Sequence, residues 1–172
     1  YISSKARALS STLKDMPGLV FEAHSTDYQT RANLTDLVQD GFAILKVGPG
    51  LTFALREALY GLDGIAEELF PGRRDQTLRA SMERIMLAAP ENWAKYYEGS
   101  DAELALQRHF SYSDRMRYYW PQREADAAVE LLFEVLGDTE LPETLIGQYL
   151  GARYEAVRNG HLAQTARALA LA

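Results

Sequence analysis

The chain has 172 residues, with 24 acidic against 18 basic side chains, a formal net charge of -6 and no cysteine. Without cysteine there is no disulfide scaffold, thiolate zinc site, iron–sulfur cluster or cysteine nucleophile. The acidic balance argues against a general nucleic-acid binder, which needs a basic face. No apolar run reaches the ~18 residues that a membrane span requires. We therefore expect an acidic globular protein that binds neither nucleic acid nor membrane.

The N-terminal residues show no export signal. Lys5, Arg7 and Lys14 lie among the first residues, without the apolar block of a signal peptide. Because the first residue is Tyr1 rather than Met, we expect a piece of a longer protein. Because nothing marks export, we expect a cytoplasmic location.

The first 70 residues predict alternating helices and strands. Apolar residues recur at helical spacing in some segments and form short runs in others. The predicted order is a helix over Ser3–Lys14, a strand over Leu19–His24, a helix over Gln29–Asp40 with Gly41 as its C-cap, a strand over Phe42–Val47 and a helix from Thr52. This alternation is typical of parallel βα units.

After about Leu69 the sequence predicts helices only, separated by glycine and proline. These helices cover Gln76–Leu87, Glu91–Tyr97, Asp101–His109, Ser113–Trp120, Glu124–Leu136, Pro142–Leu150, Ala152–Asn159 and the Ala- and Leu-rich Leu162–Ala172. We therefore predict two domains, a βα part over residues 1–70 and an all-α part over residues 71–172.

Several other polar or aromatic residues give little functional signal. Tyr96-Tyr97, His109 and His161 are interpreted as packing or surface residues. Glu67-Glu68 and Arg73-Arg74 are interpreted as solvated charge pairs.

Two strands are too few for an open parallel sheet, because its edges and faces would lack cover. A (β/α)8 TIM barrel needs roughly 250 residues, and the βα units of this chain would form its last quarter. The predicted fold class is therefore α/β, the last βα units of a TIM barrel, followed by an all-α C-terminal extension.

The two predicted strands bring polar side chains to one end of the barrel. Glu22 and His24 share one face of the first strand, and Lys46 lies near the end of the second. TIM barrels keep their active sites at this end. Glu22 or Lys46 would then move protons or polarise a carbonyl, with His24 as a metal ligand. The alternative is a buried ion pair of Glu22 with Lys46, beside a hydrogen-bonded His24.

Two loops add candidate binding groups. The segment His24-Ser25-Thr26-Asp27-Tyr28 is too polar for a tight connector and offers hydroxyl groups and the Asp27 carboxylate for substrate binding. The turn Gly48-Pro49-Gly50 precedes a helix, whose first backbone N–H groups attract anions. The alternative is that these glycines simply permit the turn.

The segment Phe110–Pro121 has the most unusual composition, with five aromatic residues and two arginines. Ser113 suits the N-cap of the predicted helix. Arg115 and Arg117 could grip a phosphate or carboxylate, and with Tyr118 they could contact a protein partner. The alternative is that the aromatic residues pack against the barrel and the arginines pair with surface acids.

Six stretches resemble a known family in the order in which that family has them. They are Phe21–Thr30, Ala43–Pro49, Leu51–Ala58, Tyr112–Arg115, Arg117–Pro121 and Gln148–Leu150. The family is the non-catalytic subunit of class II D-tagatose-1,6-bisphosphate aldolase, and the resemblance covers almost the whole chain but only the family's C-terminal part. Some members carry the name tagatose-6-phosphate kinase, but the chain has no P-loop or other kinase motif.

The resemblance implies a barrel related to class II aldolases, with a helical addition. It implies zinc as the cofactor, with His24 at the strand end that binds zinc in catalytic relatives. It also implies binding of substrate phosphate by Ser25, Thr26, Gly48 and Gly50.

Two functional hypotheses follow. The first is an accessory, non-catalytic subunit that supports the activity and stability of a catalytic class II aldolase subunit, its partner, in the catabolism of galactitol or N-acetylgalactosamine. The second is a metal-dependent sugar-phosphate aldolase or epimerase that uses Glu22, His24 and Lys46 in its own site.

Overall fold

The computed structural model describes residues 1–72 and 76–172, so the predicted charge pair Arg73-Arg74 lies outside the described residues. Its elements are α1 (Ser3–Ser11), β1 (Phe21–Ala23), α2 (Arg31–Gln39), β2 (Phe42–Leu45), α3 (Pro49–Leu69), α4 (Leu78–Ala88), α5 (Asp101–Phe110), α6 (Arg123–Leu136), α7 (Glu143–Tyr149), α8 (Gly151–Arg158) and α9 (Ala166–Leu171). They form two compact units, residues 1–51 and residues 52–172. This division falls in the first turn of α3. The domain boundary at residue 70 stays a prediction.

The first unit has the predicted alternation of helices and strands. β1 and β2 are parallel neighbours, with Glu22 opposite Ile44 and Ala23 opposite Leu45. Both strands are shorter than predicted, but their backbone pairing continues, because Lys46 N–H donates to the Ala23 carbonyl at 2.8 Å. The α/β class is thus confirmed, and the assignment to a TIM barrel stays a prediction.

Local signals explain where the helices of the first unit begin and end. The Thr30 side chain accepts a hydrogen bond from Asn33 N–H at 3.2 Å and so caps α2. Gly41 follows α2 with a φ of 97°, which favours glycine. The predicted helix Ser3–Lys14 is divided into α1 and a 3-10 turn over Thr12–Asp15.

Apolar side chains of the first unit remain exposed near the strands. Leu19, Val20, Ile44 and Val47 are each about half exposed, between 48% and 61%. Exposed apolar side chains on and beside the two strands are expected where a face packs against another element.

The second unit is helical and has its own core. Beyond Leu69 the described residues form no strand, as the sequence predicts. The largest fully buried apolar side chains come from several helices and include Leu62, Ile65, Met82, Met86, Leu132 and Leu169. Among the described helices, none combines the length and the apolar character needed to cross a membrane.

Gly61 marks a close approach inside this unit. A Cβ at this position would lie 2.4 Å from Cδ2 of Leu150 and 2.7 Å from the carbonyl oxygen of Tyr149. Only glycine allows α3 to lie this close to the segment between α7 and α8.

The predicted helix Glu91–Tyr97 is wrong, since only Pro90–Asn92 forms a short 3-10 turn. Trp93 follows with φ of -126° and ψ of -35°, which is neither helical nor extended backbone. Its buried indole N–H donates to the Met86 carbonyl at 2.7 Å, and this bond holds the chain against α4.

The predicted helix Ser113–Trp120, with Ser113 as N-cap, is also wrong. A 3-10 turn covers only Arg115–Tyr118. Asp114, just before it, has a φ of 43°, in the left-handed region that a continuous helix does not allow.

Candidate functional site

Glu22, His24 and Lys46 come together at the ends of β1 and β2. Glu22 Oε1 lies 2.6 Å from His24 Nε2 and 3.2 Å from Lys46 Nζ. The side chains are 39%, 68% and 54% exposed in the same order. The ion pair of the alternative interpretation is therefore present, but it is exposed rather than buried.

This arrangement favours the ionised carboxylate of Glu22. The hydrogen bond from Lys46 is the largest influence and lowers the pKa of the Glu22 carboxyl below its ordinary value, and His24 acts in the same direction. At neutral pH the cluster therefore presents a carboxylate next to an ammonium group. Such a pair can accept a proton at one atom and stabilise negative charge at another.

A hollow of about 350 Å³ adjoins the cluster. Glu22, His24, Ser25 and Thr26 contribute to its lining. Thr26 is buried, and its hydroxyl group donates a hydrogen bond to the Lys46 carbonyl at 3.0 Å. The Thr26 hydroxyl therefore holds the loop against the second strand. Ser25 is exposed.

The residues that the structure describes do not complete a metal site. His24 and Glu22 are two potential ligands side by side, but the residues described here include no group of three or more His, Asp or Glu that could hold a metal ion. A zinc site at His24 would need further ligands, because structural and catalytic zinc sites use three or four protein ligands.

Asp27, Gly48 and Gly50 also come together, and the Asp27 side chain occupies the backbone N–H groups that were predicted to bind a phosphate. Its carboxylate accepts N–H of Gly48 at 2.8 Å and N–H of Gly50 at 2.9 Å, at the start of α3. A Cβ at Gly50 would lie 2.6 Å from Asp27 Oδ1, so a larger residue there would displace the Asp27 carboxylate. The donors predicted for phosphate are thus used by the chain's own carboxylate, and a phosphate would have to displace it.

The loop that carries Asp27 has an unusual backbone. Ser25 and Tyr28 have φ values of 57° and 61°, in the left-handed region. Each such non-glycine residue costs about 1–3 kcal/mol. The loop keeps this conformation with Asp27 bonded to the start of α3.

Arg115, Arg117 and Tyr118 lie in the second unit, held by local contacts. The Arg115 guanidinium carbon lies 3.2 Å from the centre of the Tyr96 ring. Arg117 donates to the backbone carbonyls of Ser113 and Asp114 and to the Tyr118 hydroxyl. Among the described residues neither arginine forms an ion pair, so the predicted pairing with surface acids is absent.

A largely buried chain of polar contacts in the second unit was not predicted from the sequence. Tyr60 Oη lies 2.6 Å from His109 Nδ1, and His109 Nε2 lies 3.0 Å from Glu83, which also pairs with Arg108. Burial lowers the pKa of His109 to about 4, although the charge of Glu83 opposes this shift. Neutral His109 accepts from the Tyr60 hydroxyl and donates to Glu83. Its neighbour Arg108 and the spacing of Arg79 and Glu83 on α4 are the only signals in the sequence.

Comparison with known proteins identifies the family to which these units are similar. The family model described as D-tagatose-1,6-bisphosphate aldolase subunit GatZ/KbaZ-like matches residues 1–172.

A curated relative and a solved structure are similar to the chain. The D-tagatose 6-phosphate 4-epimerase of Agrobacterium fabrum is 56% identical over 151 residues, which are 88% of this chain and 36% of the relative. A crystal structure of a probable tagatose 6 phosphate kinase from Sinorhizobium meliloti 1021 is 60% identical with a TM-score of 0.95, over 99% of this chain and 44% of that chain. The chain thus spans less than half the length of either protein.

Proposed function

Because the chain belongs to the D-tagatose-1,6-bisphosphate aldolase subunit GatZ/KbaZ-like family, we propose that its full-length protein acts on a ketose phosphate at the strand-end site. The observation that carries this proposal is the exposed Glu22 carboxylate, with His24 and Lys46 bonded to it. The favoured reaction is epimerisation at C4 of a ketohexose 6-phosphate, as in the name of the Agrobacterium fabrum relative.

Aldol cleavage and C4 epimerisation share one chemical step. Glu22 takes the proton of the C4 hydroxyl, the C3–C4 bond breaks, and its electron pair passes through C2 to the carbonyl oxygen. The Lys46 ammonium stabilises the negative charge there. An aldolase releases the two halves. An epimerase rotates the aldehyde and re-forms the C3–C4 bond on its opposite face, and Glu22 returns the proton.

The fold that we propose for this site is the end of a TIM barrel followed by a helical part. The parallel pairing of β1 and β2 around α2 supports it, as do the exposed apolar residues Ile44 and Val47. In such a barrel Glu22 and Lys46 lie at the C-terminal mouth, where these folds place their active sites.

Zinc binding belongs to the proposal as well. His24 would be the ligand, with the remaining ligands from parts of the full-length protein outside this chain. Zinc would supply a Lewis acid for the carbonyl oxygen. A His24→Ala variant is expected to retain less zinc per protein after dialysis, measured by mass spectrometry of the metal.

The second candidate function is the accessory one. The family description names an aldolase subunit, which favours a protein that associates with a catalytic aldolase subunit and supports its activity. In this role the charges of Glu22 and Lys46 would not be needed for turnover. The cytoplasmic location stays a prediction.

The deciding experiment measures interconversion of tagatose 6-phosphate and fructose 6-phosphate by the full-length protein alone. We expect turnover, and we expect Glu22→Gln to reduce kcat by about 10²- to 10⁴-fold, because proton transfer by a positioned side chain contributes that much. The matched control is Glu140→Gln, which removes an exposed carboxylate of the helical unit.

The same preparation is then mixed with a catalytic class II aldolase subunit, and cleavage of tagatose 1,6-bisphosphate is followed. No epimerase turnover, together with stimulated cleavage that Glu22→Gln leaves unchanged, would replace the enzyme proposal with the accessory role. If the protein shows neither epimerase turnover nor stimulated cleavage, both proposals are overturned.

A further inference from the structure

The position of Lys46 depends on the loop that follows β1. The hydrogen-bond ladder between the two strands ends where Lys46 N–H donates to the Ala23 carbonyl. Glu22, whose Oε1 lies 3.2 Å from Lys46 Nζ, is the residue before Ala23 on β1. The ladder therefore holds only the N–H side of Lys46, and its carbonyl side is held by other contacts.

Thr26 holds the carbonyl side of Lys46. Its backbone N–H and its hydroxyl group both donate to the Lys46 carbonyl oxygen, at 3.2 Å and 3.0 Å. Because Thr26 is only 5% exposed, water competes little for these hydrogen bonds. Both backbone polar groups of Lys46 are thus bonded to residues 23–26, and its side chain extends from a backbone that is fixed on both sides.

Asp27 extends this attachment to the residues just after Lys46. Its carboxylate accepts N–H of Gly48 at 2.8 Å and N–H of Gly50 at 2.9 Å. Hydrogen bonds to an ionised acceptor are stronger than those between neutral groups. The segment that carries Lys46 is therefore held to the loop after β1 at two successive points, first by Thr26 and then by Asp27.

The backbone around these two residues is held in a disfavoured conformation. Ser25 and Tyr28, on either side of them, have φ values of 57° and 61°. Residues with a side chain rarely adopt this left-handed region, and they keep it where neighbouring contacts hold them. The bonds of Thr26 and Asp27 are such contacts, so their loss would let the loop relax and would release the backbone of Lys46.

We propose that Thr26 and Asp27 are positioning residues that hold the Lys46 ammonium beside the Glu22 carboxylate. In this role the Asp27 carboxylate contacts the chain rather than a substrate. The expected effect on turnover rests on the proposed function, in which Lys46 stabilises charge and Glu22 moves a proton. The expected effect on the distance between Lys46 and Glu22 does not. A displacement of about 1 Å at a reacting group can lower a rate by about 10²-fold.

The first test measures that distance in crystal structures of the full-length wild type and the Asp27→Ala variant. We expect Lys46 Nζ to move from 3.2 Å to more than ~4 Å from Glu22 Oε1, the limit of an ion pair. Asp36→Ala, which removes an exposed carboxylate from α2, should leave the distance unchanged. An unchanged distance in Asp27→Ala overturns the proposal, whether or not the protein is an epimerase.

The second test measures interconversion of tagatose 6-phosphate and fructose 6-phosphate by the same proteins. We expect Asp27→Ala to lower kcat by about 10- to 100-fold and to leave KM within about 2-fold of the wild type. A raised KM with an unchanged kcat would mean that Asp27 binds substrate, and it would overturn the positioning role. A wild type without turnover, together with a displaced Lys46 in Asp27→Ala, would overturn the proposed function but support the positioning role.

A double-mutant cycle tests whether Asp27 acts through Lys46. In a Lys46→Met background, Asp27→Ala should change kcat by less than about 2-fold, because the ammonium group that it positions is already absent. An equal loss of kcat in both backgrounds would overturn the proposal, since a general loss of structure does not depend on Lys46.

If Asp27→Ala fails to fold, Thr26→Val decides by the same measurements. It should lower kcat by about 5-fold, the equivalent of one hydrogen bond, and Thr26→Ser should keep the wild-type kcat. Thr35→Val, which removes an exposed hydroxyl group from α2, is the matched control. A Thr26→Val variant with the wild-type distance between Lys46 and Glu22 would overturn the proposal.

Discussion

Asp114→Asn should destabilise the helical unit substantially. The Asp114 and Arg56 side chains are 1% and 2% exposed, so the pair is fully desolvated. Asn keeps the shape of Asp and tolerates the left-handed backbone at this position, whose φ is 43°. The substitution therefore removes the charge and leaves the backbone unchanged.

The magnitude follows from the loss of one partner of a buried ion pair. Removing one charge leaves the other buried without compensation, which costs about 3–5 kcal/mol. The Arg56 Nε–Asp114 Oδ1 distance of 3.4 Å is long, so we expect the lower end, about 3 kcal/mol. Asp114→Ala also loses the hydrogen bond from Thr52 at 2.5 Å and adds backbone strain, and should cost about 5 kcal/mol.

The assay is urea unfolding of the chain, followed by circular dichroism, with the free energy of unfolding taken by linear extrapolation. Asp138→Asn is the matched control, because Asp138 is exposed and should change the free energy by less than about 0.5 kcal/mol. A free-energy change for Asp114→Asn as small as that of the control would refute the reasoning about the buried pair.

Three further predictions concern the helical unit. Because the pKa of His109 falls to about 4 in the folded state, its contribution to stability is complete above the unfolded value near 6.5 and is lost as the pH falls toward 4. Calorimetry should show this loss of about 2–3 kcal/mol in wild type and in His161→Asn but not in His109→Asn. Gly61→Ala should cost at least about 2 kcal/mol by overpacking, whereas Gly151→Ala, with open space around it, should cost nothing. Ser100→Ala should lower the free energy of unfolding by about 1 kcal/mol through loss of the capping box; an unchanged midpoint in urea would contradict this.

The sequence predicts much of the local structure because helices and strands have different apolar periods. Long helices such as α3 and α6 and the parallel strand pair follow from these periods. The helix predicted over Ser113–Trp120 fails because Asp114 is fixed by Arg56, a partner 58 residues earlier in the chain. Local propensity contains no information about such a contact.

The candidate site shows the same limit. Strand alternation places Glu22, His24 and Lys46 on neighbouring strand ends, and the three side chains meet there. The bonds from Gly48 and Gly50 to Asp27 were not predicted, because they depend on the path of a loop with left-handed residues. A cavity beside Tyr60 in the helical unit was not predicted either, since it arises from helix packing rather than from a motif.

The position of Trp93, bonded to the Met86 carbonyl, has a spectroscopic consequence. The chain has two tryptophans, at positions 93 and 120, and both lie in the unit of residues 52–172. The intrinsic fluorescence of the chain excited at the red edge of tryptophan absorption therefore reports on the helical unit alone. The βα unit contributes no tryptophan emission. A denaturation curve read by tryptophan fluorescence therefore follows the unfolding of the helical unit, and its comparison with a curve read by circular dichroism separates that event from the unfolding of the whole chain.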